Sequence, residues 1–514
     1  MNRKLWLVVA ALHWILSFFT DTLIFTCEIP WVYAVWKAIF LFFVIVFYQI
    51  VGYVVHEYRA GNPAVRKVCR LTGVYFLIMM IFLLLTWPGI WRIDEFSILR
   101  TAKELHIHYW QGYLTSVYYI LCLMMIPAPV SVVIFMCVIN SFVAGYLIYK
   151  LWMYTGKRKA AYLLYIPFLF FPVIDSNLYP MRMSIYAFLE LLLLAKICFW
   201  FYEKRTPGKK EIFGMLLLAA VVTCWRSESI YYIVLFPVLL AVFFWKRISK
   251  KQLAKVIVSF LALSIVAVGI QKVGEGEGDG YEITAIIRPL TPLVVEAAYA
   301  EETDLIAAID KVINCAWIFE GASKGENGLG IFWGYIGNGL IKDGQYTDEE
   351  YRDMLKAYYT LILRHPKIFL LERWQNYLGT TGLLGRITEN EPPSPVINDT
   401  VRKVVYSILE FRSLDDYYTQ GTLAKVVYNS IPPSIILFLG VVICLWKKKL
   451  IYTGSILMVF LKVPLVFLTA PGGLFMYYYS PYLCGWVLLF FAGILFLTWK
   501  GKKSDETNYI DGTL

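Results

Sequence analysis

Apolar runs long enough to cross roughly 30 Å of hydrocarbon recur through most of this chain, separated by short polar breaks. Lipid offers the backbone no hydrogen-bond partners, so such a chain must span as helices or as a closed barrel. No ladder of alternating ten-residue segments occurs, which disfavours the barrel. The expected fold class is an all-α polytopic membrane protein. A hydrophobic content of 59%, a mean hydropathy of +0.61 and only 17% charged residues put the 514-residue chain far outside the soluble globular range. The N-terminal "MNRKLWLVVAALHWILSFF" starts like a signal peptide, but its apolar run is too long and lacks a small-residue cleavage site, so it reads as a retained first span. Of nine cysteines only Cys315 lies well clear of the expected spans, which excludes a disulfide framework or paired zinc spacing and leaves the thiols as packing residues.

Basic clusters at Arg3 and Lys4, "RAGNPAVRKVCR", "GKRK", "EKRTPGKK", "KRISKK", "KKK" and "KGKK" each border a hydrophobic segment. They are topology signals and not a nucleic-acid surface. A consistent arrangement has about 12 spans near residues 5–27, 31–55, 71–90, 130–151, 160–174, 184–202, 212–226, 229–245, 253–270, 431–446, 450–470 and 481–499, with both termini cytoplasmic in a cell membrane. The segment "GYLTSVYYILCLMMIP", 112–127, is too short and would invert the later loops if it crossed. It is expected to lie at, or dip into, the outer interface. The implied organisation is an N-terminal bundle over 1–270 with an outer loop at 91–129, an extracytoplasmic, mainly helical domain over 271–430, C-terminal spans over 431–499 and a cytoplasmic tail over 500–514. Residues 271–430 hold 15 Lys+Arg against 23 Asp+Glu, a net of −8 in a chain of net +11, which leaves +19 elsewhere, as that orientation requires.

Within 271–430, "GEGEGDG" reads as a tether whose acids lack a complete calcium-loop pattern. "TDEEYRDMLKAYYTLILRHP" predicts a helix opened by a Thr347–Glu350 capping box, with Tyr351, Leu355, Tyr358 and Ile362 at helical spacing up to Pro366. A second helix, "KIFLLERWQNYL", follows. The pair reads either as an amphipathic platform on the outer leaflet or as a small cap packing its own core. "ENEPPSPVIND" is a proline-rich connector.

Charged residues converge on one face in this topology. Asp94 and Glu95 follow the third span, Arg182 begins the sixth, and Arg226 and Glu228 form a very short turn, "RSE", between the seventh and eighth. A charge so near hydrocarbon costs a few kcal/mol unless it is paired or faces water. A carboxylate near guanidinium groups suits the binding of a phosphate-linked substrate while a base takes a proton from an acceptor hydroxyl. The plainer reading is that each is an interfacial charge that pairs and fixes helix depth. His106 and His108 neighbour the carboxylates and could tune a base, but no third ligand stands at metal spacing. Tyr477 and Tyr478, in "APGGLFMYYYSPYL", fit an aromatic belt, with a sugar-stacking wall as the alternative. Asp21 and Lys37, at similar depth in the first two spans, read as a structural ion pair. Glu190, Lys196 and Lys462 also fall within spans, and Lys462 needs a partner that the sequence does not name.

An acidic residue in the first long outer loop, a helix lying along the interface after it, a short "R-x-E" turn between later spans and a late outer domain with amphipathic helices together resemble the GT-C superfamily of integral-membrane glycosyltransferases. The likeness covers roughly residues 71–270, more weakly 340–380 and 470–482, and is nearest to bacterial members with a similar "WPGIWRIDE" to "MMIPAP" segment. The resemblance implies transfer of a sugar from a polyprenyl-phosphate donor to a glycan or lipid acceptor of the cell envelope. Asp94 would be the catalytic acid/base residue with Glu95 as the other candidate; Arg226 and Glu228 would lie by the donor, and Arg182 would help bind its phosphate. There is no D-x-D pair, which leaves divalent-metal dependence open, and two extra spans precede the loop carrying Asp94. Rival readings are a transporter or flippase of lipid-linked saccharides, an oligosaccharide polymerase or ligase, and a non-catalytic scaffold.

Overall fold

The structure, a computed structural model, describes residues 3–275, 281–342, 344–379, 395–410 and 422–510. Most of the "GEGEGDG" tether and of the proline-rich connector lie outside them. Every named element is a helix, and one isolated bridge joins Ile313 to Ile341. The chain is an all-α, multi-pass membrane protein. Ten of its helices among the described residues are long and apolar enough to cross a bilayer, or eleven if one bent pair counts as a single span.

In chain order the first helices are α1 (Arg3–Thr20), α2 (Pro30–Arg59), α3 (Pro63–Leu85), α4 (Ile93–Lys103), α5 (Tyr113–Met125) and α6 (Val130–Thr155). Then come α7 (Arg158–Tyr162), α8 (Tyr165–Phe168), α9 (Phe171–Leu178), α10 (Arg182–Tyr202), α11 (Lys209–Trp225), α12 (Tyr232–Phe244) and α13 (Lys250–Glu275). The expected count of twelve spans changes at two places. The fifth is α7 and α8 joined to α9 across a 66° bend, and the seventh, α11, has only 17 residues and carries Lys209, Lys210 and Glu211. At 1.5 Å per residue α11 is about 25 Å long, short of the hydrocarbon thickness.

Two compact units divide the chain: Met1–Gly274 with Arg386–Phe460 and Tyr479–Leu514, and Glu275–Gly385 with Leu461–Tyr478. The stretch expected as one domain, 271–430, is thus shared between them. The first unit adds α20 (Asp399–Glu410), α21 (Thr422–Val427), α22 (Ile431–Trp446), α23 (Leu450–Phe460) and α25 (Tyr479–Ile510). Buried polar groups lock its helices together. Asn177 on α9 donates to the Tyr75 hydroxyl at 2.8 Å and accepts from Asn140 at 2.8 Å and Ser184 at 3.0 Å, which ties the bent pair to α3, α6 and α10. Glu190, fully buried on α10, accepts from Tyr186 at 3.0 Å and from Tyr232 and Ser480. Such networks fix helix register where apolar packing against lipid is nearly indifferent to it.

The segment between α3 and α4 is the tightest point. Thr86, Ile90, Trp91 and Arg92 are all buried. Gly89 has φ +107°, its carbonyl accepts from Tyr406 at 2.9 Å, and a Cβ there would stand 2.9 Å from Val133 Cγ2 and 3.0 Å from the Leu178 carbonyl. Gly89→Ala is therefore expected to cost about 1–3 kcal/mol from backbone strain alone. A melting temperature in detergent equal to the parent's would show that the segment yields.

The second unit contains α14 (Tyr281–Tyr299), α15 (Thr303–Asp310), α16 (Cys315–Ser323), α17 (Gly328–Tyr335), α18 (Asp348–Arg364), α19 (Pro366–Gly379) and α24 (Lys462–Thr469). The expected capping box is present: Glu350 N–H donates to Thr347 Oγ1 at 3.3 Å, and Thr347 N–H to Glu350 Oε2 at 2.9 Å. Tyr358 is buried, and Tyr351, Leu355 and Ile362 pack against a core built from Ile287, Leu290, Val294, Ile318, Phe332, Met354 and Leu361. α18 thus packs the core of its own unit, as the second of the two readings has it. Lys462, expected at mid-span, is buried where the apolar helix breaks between α23 and α24.

Candidate functional site

α4 begins with both acids in its first turn and ends with Arg100 and Lys103 in its last, an order that suits the helix dipole. Consecutive helical residues point about 100° apart, so the adjacent carboxyls part company. Asp94 is exposed, whereas Glu95 is 2% exposed. Burial, seconded by the Asp94 charge, pushes the Glu95 carboxyl up to about 8 against the opposing pull of a Tyr179 hydrogen bond and of Arg92. Glu95 Oε2 has no hydrogen-bond partner among the described residues. One of the pair is presented to the surroundings, and the other is a mostly protonated group at neutral pH.

Beneath them lies a cluster that the sequence reading missed. Arg92 meets Asp175 at 3.7 Å and stacks 4.3 Å from the Tyr179 ring, and the Tyr428 hydroxyl donates to Asp175 Oδ2 at 3.4 Å. Arg402 and Tyr406 of α20 both reach the Gly89 carbonyl, at 3.5 and 2.9 Å. The available signal was Asp175 itself, an acid one residue past the expected fifth span, and Arg92, two residues before Asp94.

α5 gathers the remaining candidates. It is short of a span, as expected, and most of its residues are buried among the protein's own helices. Tyr119 donates to the Pro180 carbonyl at 2.8 Å, just before Arg182, and Trp225 at the end of α11 donates to Thr115 at 3.2 Å. Arg182 is half-buried at the first turn of α10, and Arg226, buried, lies against Met183 and pairs with Glu228. The "RSE" charges are therefore paired with each other. His108 is the electrostatic meeting point: burial lowers its pKa, the Asp94 charge raises it, and Arg182 and Arg100 lower it. Its backbone N–H donates to Ser116 at 2.8 Å and its Nε2 lies 3.3 Å from Ser97 Oγ. His106 is exposed. Tyr477 is half-buried, and Tyr478 is buried in the second unit against the Tyr377 ring, centroids 5.0 Å apart, so its face is occupied by protein.

The first two helices brace this site. The Trp36 indole donates to the Leu105 carbonyl at 2.9 Å and Thr26 N–H donates to the Lys103 carbonyl at 2.9 Å, which pins the end of α4. Leu105 holds φ +57°, a conformation that a branched residue adopts only when its surroundings enforce it. Lys37, in turn, pairs with Asp21 at 2.6 Å, as the sequence suggested. Trp36→Phe keeps the ring but removes the donor, so a loss of about 1–3 kcal/mol in stability is expected, together with faster proteolysis at Lys103. Unaltered cleavage there would show that α4 holds itself.

Among the described residues no group of three or more His, Cys, Asp or Glu could hold a metal ion. A cavity of about 550 Å³ lined by Tyr154, Thr155, Tyr202, Phe496 and Thr498 lies at the far end of α10. That end is about 30 Å from Arg182 at 1.5 Å per residue, so the cavity is separate from the carboxylates. No protein-family model matches the chain, and neither a curated protein nor a solved structure matches it. What fold and site geometry establish together is an all-α, multi-pass integral-membrane protein.

Proposed function

We propose that this chain is a membrane glycosyltransferase that moves a sugar from a polyprenyl-phosphate donor to a cell-envelope acceptor at the outer membrane face. The single observation that supports this most is that α5 draws the segments carrying Asp94, Arg182 and Arg226 together: His108 N–H donates to Ser116, Tyr119 to the Pro180 carbonyl and Trp225 to Thr115. In this reading Asp94 takes the proton of the acceptor hydroxyl as its oxygen bonds to the anomeric carbon. The bond from that carbon to the phosphate oxygen breaks, and its electron pair leaves with the phosphate. Arg182 offsets the charge that grows there, which stabilises the transition state more than the ground state. Arg226 and Glu228, already paired beside Met183, hold the turn next to Arg182. Glu95 supports Asp94 from below as a neutral acid. The outward orientation rests on the basic clusters beside the spans.

The test is to reconstitute the full chain in vesicles with short polyprenyl-phosphate sugars and envelope-lipid acceptors, and to look for one added sugar by mass spectrometry. Donor movement across the bilayer with no product would replace the proposal with a flippase. Chain lengthening or transfer of a whole glycan would replace it with a polymerase or ligase.

A further inference from the structure

α19 is built inside out. Its buried face carries Phe369, Arg373, Asn376 and Tyr377, and Arg373 is 0% exposed. Its exposed face carries Leu370, Leu371, Trp374 and Leu378, between 45% and 51% exposed. Positions 370, 374 and 378 recur every fourth residue, so the apolar groups form one continuous stripe. A helix turned toward water would present its arginine and asparagine there and bury its leucines.

The buried polar face has a definite job. Arg373 Nη1 and Asn376 Nδ2 each donate to the Ala470 carbonyl at 2.9 Å, and Arg373 and Arg288 both pair with Glu372. The Tyr377 ring packs on Phe467 with centroids 6.0 Å apart. Phe467 lies near the end of Leu450–Thr469, a segment long and apolar enough to cross a bilayer, and Ala470 caps it. α19 is therefore fastened by side-chain hydrogen bonds to the terminus of a span. Leu468, on that terminus, is itself 46% exposed. The helix that α19 is fastened to thus leaves a leucine uncovered, as α19 does. Lys367 and Gln375 are exposed; Lys367 stands at the N-terminal end of the stripe, one turn before Leu371, where its long stem can carry the ammonium back to the headgroups, and Gln375 flanks the stripe. Trp374 supplies the amphipathic ring favoured at that depth.

We infer that α19 lies along the membrane surface with its Leu370, Leu371, Trp374 and Leu378 face in the acyl chains of the lipid. The second unit is then seated on the bilayer by two attachments: the covalent one through α24, and this helix. The inference holds whether or not the chain transfers sugars.

The experiment uses the native full chain in vesicles of phosphatidylethanolamine and phosphatidylglycerol with a trace of phosphatidylcholine bearing an acyl-chain diazirine. After irradiation and trypsin digestion, the peptide 368–373 is expected to carry lipid adducts on the order of tenfold above the acidic peptide 343–352, and comparable to those on span peptides. Adduct yields equal to those of 343–352 would place the stripe in water and overturn the inference. So would a low yield accompanied by protein crosslinks from 368–373 to another copy or another part of the chain, since the face would then be covered by protein.

Discussion

Asp94→Asn is expected to lower glycosyl transfer by about 10²–10⁴-fold while the protein still inserts and folds, because the amide keeps the shape of the exposed side chain but cannot take a proton. Glu95→Gln should behave differently although its residue is adjacent. Glu95 is buried and its pKa is raised from the ordinary 4.5 to about 8, so near neutral pH it is mainly uncharged and a glutamine copies it closely. Most activity should survive. The contrast appears in stability against pH. Between about 4.5 and about 8 the folded chain holds a proton on Glu95 that the unfolded chain releases, so stability falls as pH rises through that window and levels off above it. A tenfold difference in proton affinity between the folded and unfolded chain corresponds to about 1.4 kcal/mol, so the loss across the window amounts to a few kcal/mol. Melting temperatures from pH 5 to 9 should therefore decline more steeply for the parent than for Glu95→Gln, with the variant more stable at the alkaline end. Parallel curves would put Glu95 in contact with water, and full activity of Asp94→Asn would remove Asp94 from the chemistry.

Asp21→Asn should be the most destabilising change in the first hairpin, by about 3–5 kcal/mol, since it strands a buried ammonium. Lys37 is 2% exposed and rests on Asp21 at 2.6 Å, Ser17 at 2.5 Å and the Phe18 ring at 4.3 Å. The Tyr33 hydroxyl also donates to Asp21, at 2.8 Å. Removing the carboxylate leaves a serine, a tyrosine and a ring to hold a full charge. Replacing both partners, Asp21→Ala with Lys37→Met, removes the charge together with its counter-ion and should return the protein to within roughly 1–2 kcal/mol of the parent. Thermal unfolding in detergent separates these outcomes. If the single variant melts with the parent, the pair is not what holds α1 to α2. Because Trp36 and Thr26 pin the end of α4, the single variant should also loosen the region that carries Asp94.

The membrane class was legible because hydropathy acts locally: each run must cross by itself, whatever its neighbours do. The Asp21–Lys37 pair and the Thr347–Glu350 box were legible for the same reason, since depth and short-range capping depend on spacing alone. Burial was not. Nothing local says that α5 would be enclosed by other helices, or that Asp175 and Arg92, far apart in sequence, would meet under Asp94. The bend between α8 and α9 was hidden too, because an apolar run looks the same straight or broken. Asp94 and Glu95 looked alike in the sequence, and only the direction of each side chain on α4 separates them.

The discontinuity of both units has a consequence for biogenesis. Arg373 and Asn376 depend on the carbonyl of Ala470, and Glu190 on the hydroxyl of Ser480, so neither unit has all its internal partners until nearly the whole polypeptide has left the ribosome. Until then Arg373 has Glu372 but not the Ala470 carbonyl, and Glu190 has Tyr186 and Tyr232 but not Ser480. A nascent chain halted after α23 would hold two unfinished halves and be an early substrate for membrane quality control.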